Sequence, residues 1–221
     1  METVRSFFDQ DVDPHVRGWL HTPQNPGADA LILTHGAGGD CAAPLLVALA
    51  ETFCGHGYTV LRCDLPFRQG KRFGPPFPGN AERDRAGLRN AVAVMRKAVN
   101  GDVFLGGHSY GGRQASMLCA EEPGLVSGLL LLSYPLHPPR KAEQLRVTHL
   151  PSLHTPTLFV HGTRDPFGSI EELSKALPLI PSKHELMKVD AAGHDLGFTA
   201  KGRNSALPPR IAAAFQGLID S

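Results

Sequence analysis

The chain has 221 residues, of which 42% are hydrophobic, so it is long enough to bury one sizeable core, and no shift in composition calls for a second one. Its 22 Lys and Arg residues stand against 21 Asp and Glu residues, and the formal net charge of +1 argues against nucleic acid or an anionic membrane as a partner. The N-terminal stretch lacks the apolar core of a signal peptide, and no apolar run approaches the roughly 20 residues that span a bilayer. We therefore predict a single cytoplasmic domain over residues 1–221 that acts on a small molecule.

The pattern of apolar residues predicts an α/β fold. Two β-rich stretches, "TVRSFF" and "HVRGWLHTP", flank the turn-forming "DQDVDP" and predict an N-terminal antiparallel hairpin. From residue 30 onward, strands without polar alternation alternate with amphipathic helices, which is typical of a mostly parallel sheet covered by helices on both faces. The predicted strands are "ALILTHG", "YTVLRCDLP", "DVFLGGHS", "GLLLLSYP", "TPTLFVHG" and "HELMKVD", and the predicted helices lie in "PLLVALAETFCGHG", "AERDRAGLRNAVAVMRKAV", "YGGRQASMLCAEE", "SIEELSKAL" and "ALPPRIAAAFQGLID".

Two Pro-rich stretches, at residues 65–80 and 134–156, interrupt this alternation. Both follow predicted strands, and loops at the carboxyl ends of parallel strands form the ligand crevice of such folds. They are candidates for shaping a pocket, although plain surface loops explain the same composition. The second stretch is too short for a large helical cap, so we expect an open site.

The stretch "GHSYG" at residues 107–111 places Ser109 between a buried strand and a helix. A nucleophile at such a strand-to-helix turn needs small neighbours, because the backbone there is strained and crowded. A glycine-rich turn that merely contains a serine is the alternative. The context favours Ser109 as a nucleophile.

A serine nucleophile needs a histidine as base and a carboxylate that orients the histidine. Asp165 follows the strand "TPTLFVHG", and His194 follows the last predicted strand. The order Ser, Asp, His is the one this architecture uses, and all three are expected at one edge of the sheet. Asp165 has the alternative role of starting a turn or capping the next helix. Asp190 and Asp195 are rival acids, but Asp195 adjoins the histidine and would struggle to face its ring.

Negative charge that develops on a carbonyl oxygen needs preorganised N–H donors. The loop "LTHGAGGD" after the first parallel strand is placed to supply one donor, for which we favour the backbone N–H of Ala37, and Tyr110 would supply the other. Gly36 and Gly38 are expected to contact substrate beside them. The glycine spacing fits neither a dinucleotide-binding nor a P-loop pattern.

No metal or cofactor is predicted. His149 and His154 lie in a Pro-rich loop without any metal-binding motif, and the four cysteines show no CxxC spacing. We expect these cysteines to be reduced, buried thiols.

With these residues assembled, the chain resembles small α/β-hydrolases of the dienelactone-hydrolase-like kind. The motifs "LTHGAGGD", "LRCDLPF", "GGHSYGGR", "SYPLHPP" and "GHDL" resemble more narrowly the family of testis-expressed protein thirty and the NSL acetyltransferase-complex subunit. The resemblance runs from about residue 30 to the C-terminus. It implies an α/β-hydrolase fold with Ser109, Asp165 and His194 in the catalytic positions, and some relatives act as complex subunits rather than as catalysts.

Three further residues are expected near the substrate: His108 beside the nucleophile, and Tyr134 and His137 in "SYPLHPP". A Pro-stiffened turn is the alternative for the last two. The basic stretch from Arg68 to Arg72 would contact an anionic substrate or lie in a solvated loop.

The sequence thus predicts a carboxylesterase-like serine hydrolase that acts on small soluble esters or lactones through an acyl-enzyme intermediate. The alternative is a catalytically idle interaction module with the same fold.

Overall fold

The computed structural model describes residues 2–77, 79–199 and 202–221. In this part of the chain, eight strands form one sheet in the order β1-β2-β4-β3-β5-β6-β7-β8. β1 pairs antiparallel with β2, β2 pairs antiparallel with β4, and the pairs from β4 onward are parallel. The strands are β1 Thr3–Asp9, β2 Val16–Thr22, β3 Ala30–Thr34, β4 Thr59–Cys63, β5 Val103–His108, β6 Gly128–Leu132, β7 Thr157–Gly162 and β8 His184–Val189.

Helices cover both faces of the sheet. They are α1 Pro44–Gly55, α2 Pro66–Gly70, α3 Asn80–Ala98, α4 Tyr110–Glu121, α5 Ile170–Ala176 and α6 Leu207–Ile219. The apolar faces of α1 and α6 pack on one side of the sheet, and those of α3, α4 and α5 pack on the other. Alternate residues of a strand serve the two sides, as Ile32 and Leu33 of β3 do. This double coverage explains why the central strands are apolar throughout.

The observed elements confirm the predicted architecture, including the N-terminal hairpin, in which Thr3 pairs with Thr22 and Asp9 with Val16. The sequence pattern did not predict that β3 would lie between β4 and β5. It also missed the short helix α2, which lies inside the Pro-rich stretch 65–80 and starts at Pro66, where a proline suits the first turn of a helix. No helix in the described residues is both long and apolar enough to cross a membrane.

Helix α4 approaches β5 very closely at the turn that joins them. A Cβ atom on Gly107 would lie 2.5 Å from the backbone N of Gly112, and a Cβ on Gly112 would lie 2.5 Å from the carbonyl oxygen of Gly107. On the other side, a Cβ on Gly111 would lie 2.4 Å from the carbonyl oxygen of His35. These obstacles are backbone atoms, which cannot rotate away, so the glycines are required for this packing.

We predict that Gly112→Ala lowers the free energy of unfolding by about 3 kcal/mol, because the added methyl group forces α4 away from β5. The matched control is Gly217→Ala in α6, where a Cβ atom meets nothing within 4 Å. That substitution should raise stability by up to about 1 kcal/mol, since alanine is the better helix former. Urea unfolding followed by circular dichroism measures both, and equal stability of the two variants would contradict the packing argument.

Candidate active site

Ser109 is the residue between β5 and α4, and its backbone has the unusual angles φ 51° and ψ −116°. Its N–H donates to the carbonyl oxygen of Leu132 at 2.8 Å, and its own carbonyl oxygen accepts from the N–H of Arg113. A side chain with positive φ is strained, and such strain is common where function fixes the geometry. The turn holds the Ser109 hydroxyl at the carboxyl edge of the sheet.

The loops after β7 and β8 bring Asp165 and His194 to this hydroxyl. The distance from Ser109 Oγ to His194 Nε2 is 2.7 Å, and the distance from His194 Nδ1 to Asp165 Oδ2 is 2.8 Å. Because a carboxylate only accepts, Nδ1 carries the proton and Nε2 is left to accept from the serine hydroxyl. The structure therefore brings together the three residues that the sequence nominated from separate strand ends.

Asp165 is buried, and its two carboxylate oxygens have different partners. Oδ2 accepts from His194, and Oδ1 accepts from the N–H of Phe167 at 2.9 Å. Burial alone would raise the pKa of Asp165, but the bonds from His194 and Phe167 outweigh burial and hold the pKa below its usual value. The helix that follows is capped by Ser169 and Glu172 in a reciprocal capping box, so a cap by Asp165 is the wrong alternative.

The position of His194 is fixed from two sides. Its ring stacks on Phe167 with the ring centroids 4.2 Å apart. Its carbonyl oxygen accepts from Nε2 of His108 at 2.7 Å, which requires the proton of His108 to be on that nitrogen. Burial lowers the pKa of His108 to about 4, so its ring is neutral at pH 7. The rival acid Asp195 bonds instead to the N–H of Gly197, and Asp190 lies exposed on the surface.

The loop after β3, residues 35–40, lies against the turn at Ser109. Arg68 holds this loop from behind, since its guanidinium donates to the carbonyl oxygens of Ala37 at 2.9 Å and of Gly39 at 2.7 Å. The same group also donates to the carbonyls of Lys71 and Gly74. Arg68 is buried, so this part of the basic stretch is structural, and α2 is the element that positions it.

A cavity of about 380 Å³ opens at Ser109. This volume is at the small end of the range for ligand pockets. Its described lining consists of His35, Gly36, Ala37, Gly38, Gly39, Ala43, Pro44, Leu45, Leu46, His108, Ser109, Phe167, His194, Asp195 and Phe198.

Most of the residues nominated from sequence line this cavity: Gly36, Ala37, Gly38, His108, Ser109 and His194. Tyr110 begins α4 next to Ser109, and its hydroxyl donates to Asp84 at 2.7 Å, so its side chain is engaged outside the described lining. Its backbone N–H belongs to the first turn of α4, where N–H groups have no partner within the helix.

Tyr134 and His137 do not belong to the described lining of the cavity, contrary to their expected place near the substrate. Both are buried in the packing of the 134–150 loop. The hydroxyl of Tyr134 donates to the carbonyl of Arg146 at 2.6 Å, and the ring of His137 lies between the carbonyl of Pro138 and Glu172. The turn after β6 carries them away from the cavity, as the Pro-stiffened alternative implies.

The sequence pattern does not predict the apolar wall of the cavity, which is formed by Pro44, Leu45, Leu46, Phe167 and Phe198. Helix α1 begins at Pro44, shortly after the 35–40 loop, so its first turn is a predictable neighbour of the site. Phe167 and Phe198 follow Asp165 and His194 closely in sequence, but nothing in their spacing indicates that they face the cavity.

A family model of the alpha/beta hydrolase domain matches residues 27–213 of the chain. The chain belongs to the alpha/beta hydrolase family. Among curated proteins, this alpha/beta hydrolase is similar to 2-succinyl-6-hydroxy-2,4-cyclohexadiene-1-carboxylate synthase of Salmonella paratyphi B, with 34% identity over 128 residues. That match covers 58% of this chain and 46% of the relative, so the chain spans about half the length of the curated relatives it matches.

Solved structures show the same fold over nearly the whole chain. Dienelactone hydrolase from Anabaena variabilis has a TM-score of 0.73 at 23% identity, and the alignment covers 97% of this chain and 96% of the chain of that enzyme. A serine hydrolase without lid from Xanthomonas campestris has a TM-score of 0.68 at 13% identity, and the alignment covers 99% of this chain and 94% of the chain of that protein. These matches confirm the predicted α/β-hydrolase fold, without a large cap in the described part of this alpha/beta hydrolase.

We predict that this protein loses stability as the pH falls from 7 to 5. Burial lowers the pKa of His108 and of His149 to about 4 and lowers that of His35. In the unfolded chain the same rings take up protons near pH 6.5, so the unfolded state binds more protons and is favoured as the pH falls. Below about pH 6.5, each ring lowers the free energy of unfolding by at most about 1.4 kcal/mol per pH unit.

Urea unfolding at a series of pH values measures this loss. His149→Gln should reduce the slope of the free energy of unfolding against pH, because the unfolded state then takes up about one proton less than in the wild type. His154→Gln, at an exposed position of the same loop, controls for removal of a histidine. A stability that is constant from pH 7 to 5, or a His149→Gln variant that follows the wild type, would contradict the prediction.

Proposed function

We propose that this protein is a serine hydrolase that cleaves small soluble esters or lactones through an acyl-enzyme intermediate. The observation that carries the proposal is the continuous hydrogen-bonded line from Ser109 through His194 to Asp165 at the wall of a cavity. In this role Ser109 Oγ attacks the carbonyl carbon of the substrate while His194 Nε2 takes the hydroxyl proton. Asp165 keeps the histidine in the required tautomer and balances the charge that the ring acquires.

The second half of the reaction uses the same groups. The bond to the leaving oxygen breaks, and His194 returns its proton to that oxygen. Water then attacks the acyl carbon on Ser109 while His194 takes a proton from the water. The bond from the acyl carbon to Ser109 Oγ breaks as His194 returns the proton to Oγ, and the carboxylic acid is released. The depressed pKa of Asp165 supports this role, because the carboxylate is charged throughout the neutral pH range.

Negative charge develops on the carbonyl oxygen of the substrate during the attack, and it needs hydrogen-bond donors from the cavity wall near the 35–40 loop. We propose that the backbone N–H groups of Ala37 and Tyr110 supply them. Ala37 lies in the cavity wall, and Tyr110 begins α4 immediately after the nucleophile. The clamp of Arg68 on the carbonyls of Ala37 and Gly39 supports this assignment, because it keeps the loop in one conformation before substrate binds.

The cavity supports a small substrate. A volume of about 380 Å³ with an apolar wall fits a short acyl chain or a small ring. One solved structure of the same fold is a dienelactone hydrolase, and this name favours lactones as substrates in addition to open-chain esters.

We also propose that the whole chain acts as one domain in the cytoplasm. The narrower membership suggested by the motifs, in the family of testis-expressed protein thirty, is likewise a proposal.

The preformed line of three residues also favours catalysis over an idle interaction module. Burial of the Asp165 carboxylate lowers the stability of the fold unless the charge is paired. A protein that only binds partners gains nothing from this cost.

We predict that Ser109→Ala lowers kcat/KM for p-nitrophenyl butyrate by at least about 10³-fold and that Asp165→Asn lowers it by a similar factor. The first variant removes the nucleophile, and the second loses the preferred histidine tautomer. Ser152→Ala is the matched control and should retain wild-type turnover, because Ser152 is an exposed serine outside the described lining of the cavity. Turnover that survives in Ser109→Ala would refute the assignment of the nucleophile.

A further inference from the structure

The wall of the cavity has a simple charge pattern. Among its described lining residues, Asp195 is the one acidic side chain, and no Lys or Arg belongs to the lining. His35 and His108 also line the cavity, but burial lowers the pKa of both rings, so they are neutral at pH 7. The lining that the structure describes therefore offers a substrate apolar surface, the side chains of Ser109 and His194, and the carboxylate of Asp195.

The carboxylate of Asp195 is held in place by its own turn. Its Oδ1 accepts from the N–H of Gly197 at 2.9 Å, and its carbonyl oxygen accepts from the N–H of Phe198 at 3.0 Å. Gly197 has a φ of 82°, which a glycine adopts without strain. The charge thus lies at a fixed, exposed point of the rim, next to His194.

Three cations of the basic stretch 68–72 lie outside the described lining of the cavity. The guanidinium of Arg68 is bonded to backbone carbonyls behind the 35–40 loop. Lys71 lies over the ring of Phe77, and Arg72 lies over the ring of Phe73. Both aromatic rings are exposed and belong to the 71–77 stretch rather than to the described lining.

We propose that Asp195 is a specificity-determining residue that selects substrates by charge, so that neutral and cationic acyl groups are preferred and acyl groups with a free carboxylate are rejected. This inference rests on the proposed hydrolase function. A carboxylate on the acyl group of a substrate would share the cavity with Asp195, and repulsion between the two charges through partly hydrated surroundings amounts to about a fivefold change in rate. The substrate class is then esters of short uncharged acids or of acids that carry an ammonium group.

The test compares three p-nitrophenyl esters whose acyl groups share a four-carbon chain: butyrate, the anionic hemisuccinate and the cationic 4-(trimethylammonio)butyrate. Hydrolysis by Ser109→Ala protein is subtracted as the blank. The wild type should favour butyrate over hemisuccinate in kcat/KM, and Asp195→Asn should raise the ratio of hemisuccinate to butyrate about fivefold. The amide keeps the acceptor for Gly197, so the substitution removes the charge and leaves the turn intact. The same variant should lower the ratio of the cationic ester to butyrate.

Asp190→Asn is the matched control, because it removes one negative charge from the same loop outside the described lining, and its ratios should equal those of the wild type. A second measurement needs no variant: salt screens exposed charges, so the hemisuccinate to butyrate ratio of the wild type should rise between about 0.02 and 0.5 M NaCl. Ratios that stay unchanged in Asp195→Asn and in salt, while all esters are turned over, would overturn the role of Asp195 alone. Absence of Ser109-dependent turnover of every ester would overturn the proposed hydrolase function itself.

Discussion

The contact between the backbones of β5 and α4 is the constraint on which the rest of the site depends. Gly107 and Gly112 approach so closely that a methyl group on either would collide with backbone atoms of the other. Ser109 joins the two elements at this close approach and takes a positive φ. The hydrophobic packing of α4 on the sheet balances the strain of this turn. The fold thus stabilises a backbone conformation that an isolated peptide would not adopt.

The other parts of the site are fixed to this turn by specific contacts. The carbonyl of His35 rests against Gly111, and Arg68 clamps the loop that follows His35. His108, the neighbour of Ser109 in the sequence, bonds to the backbone of His194. Three loops from distant parts of the sequence are therefore held at distances that allow proton transfer between Ser109 and His194. The apolar wall and the single charge of Asp195 then limit what can approach the serine.

Much of this arrangement could be predicted because it follows from local rules. Apolar strands that alternate with amphipathic helices predict the sheet, and the ends of parallel strands meet at one edge, which groups Ser109 with Asp165 and His194. The apolar wall and the clamp by Arg68 could not be predicted in this way, since they depend on how α1, α2 and the loops pack in three dimensions. For the same reason the sequence leaves two roles open for Tyr134, a place near the substrate or a Pro-stiffened turn. In the structure the turn after β6 directs its ring into the core.

The most direct test of the account is the reaction of the native protein with a fluorophosphonate, followed by intact mass and peptide mapping. The account predicts one adduct per chain, on the peptide that contains Ser109, in the wild type. It predicts no adduct in Ser109→Ala or in wild-type protein unfolded before treatment, because only the folded site activates the hydroxyl. An unlabelled wild type, or equal labelling of Ser109→Ala, would contradict the claim that Ser109 is an activated nucleophile.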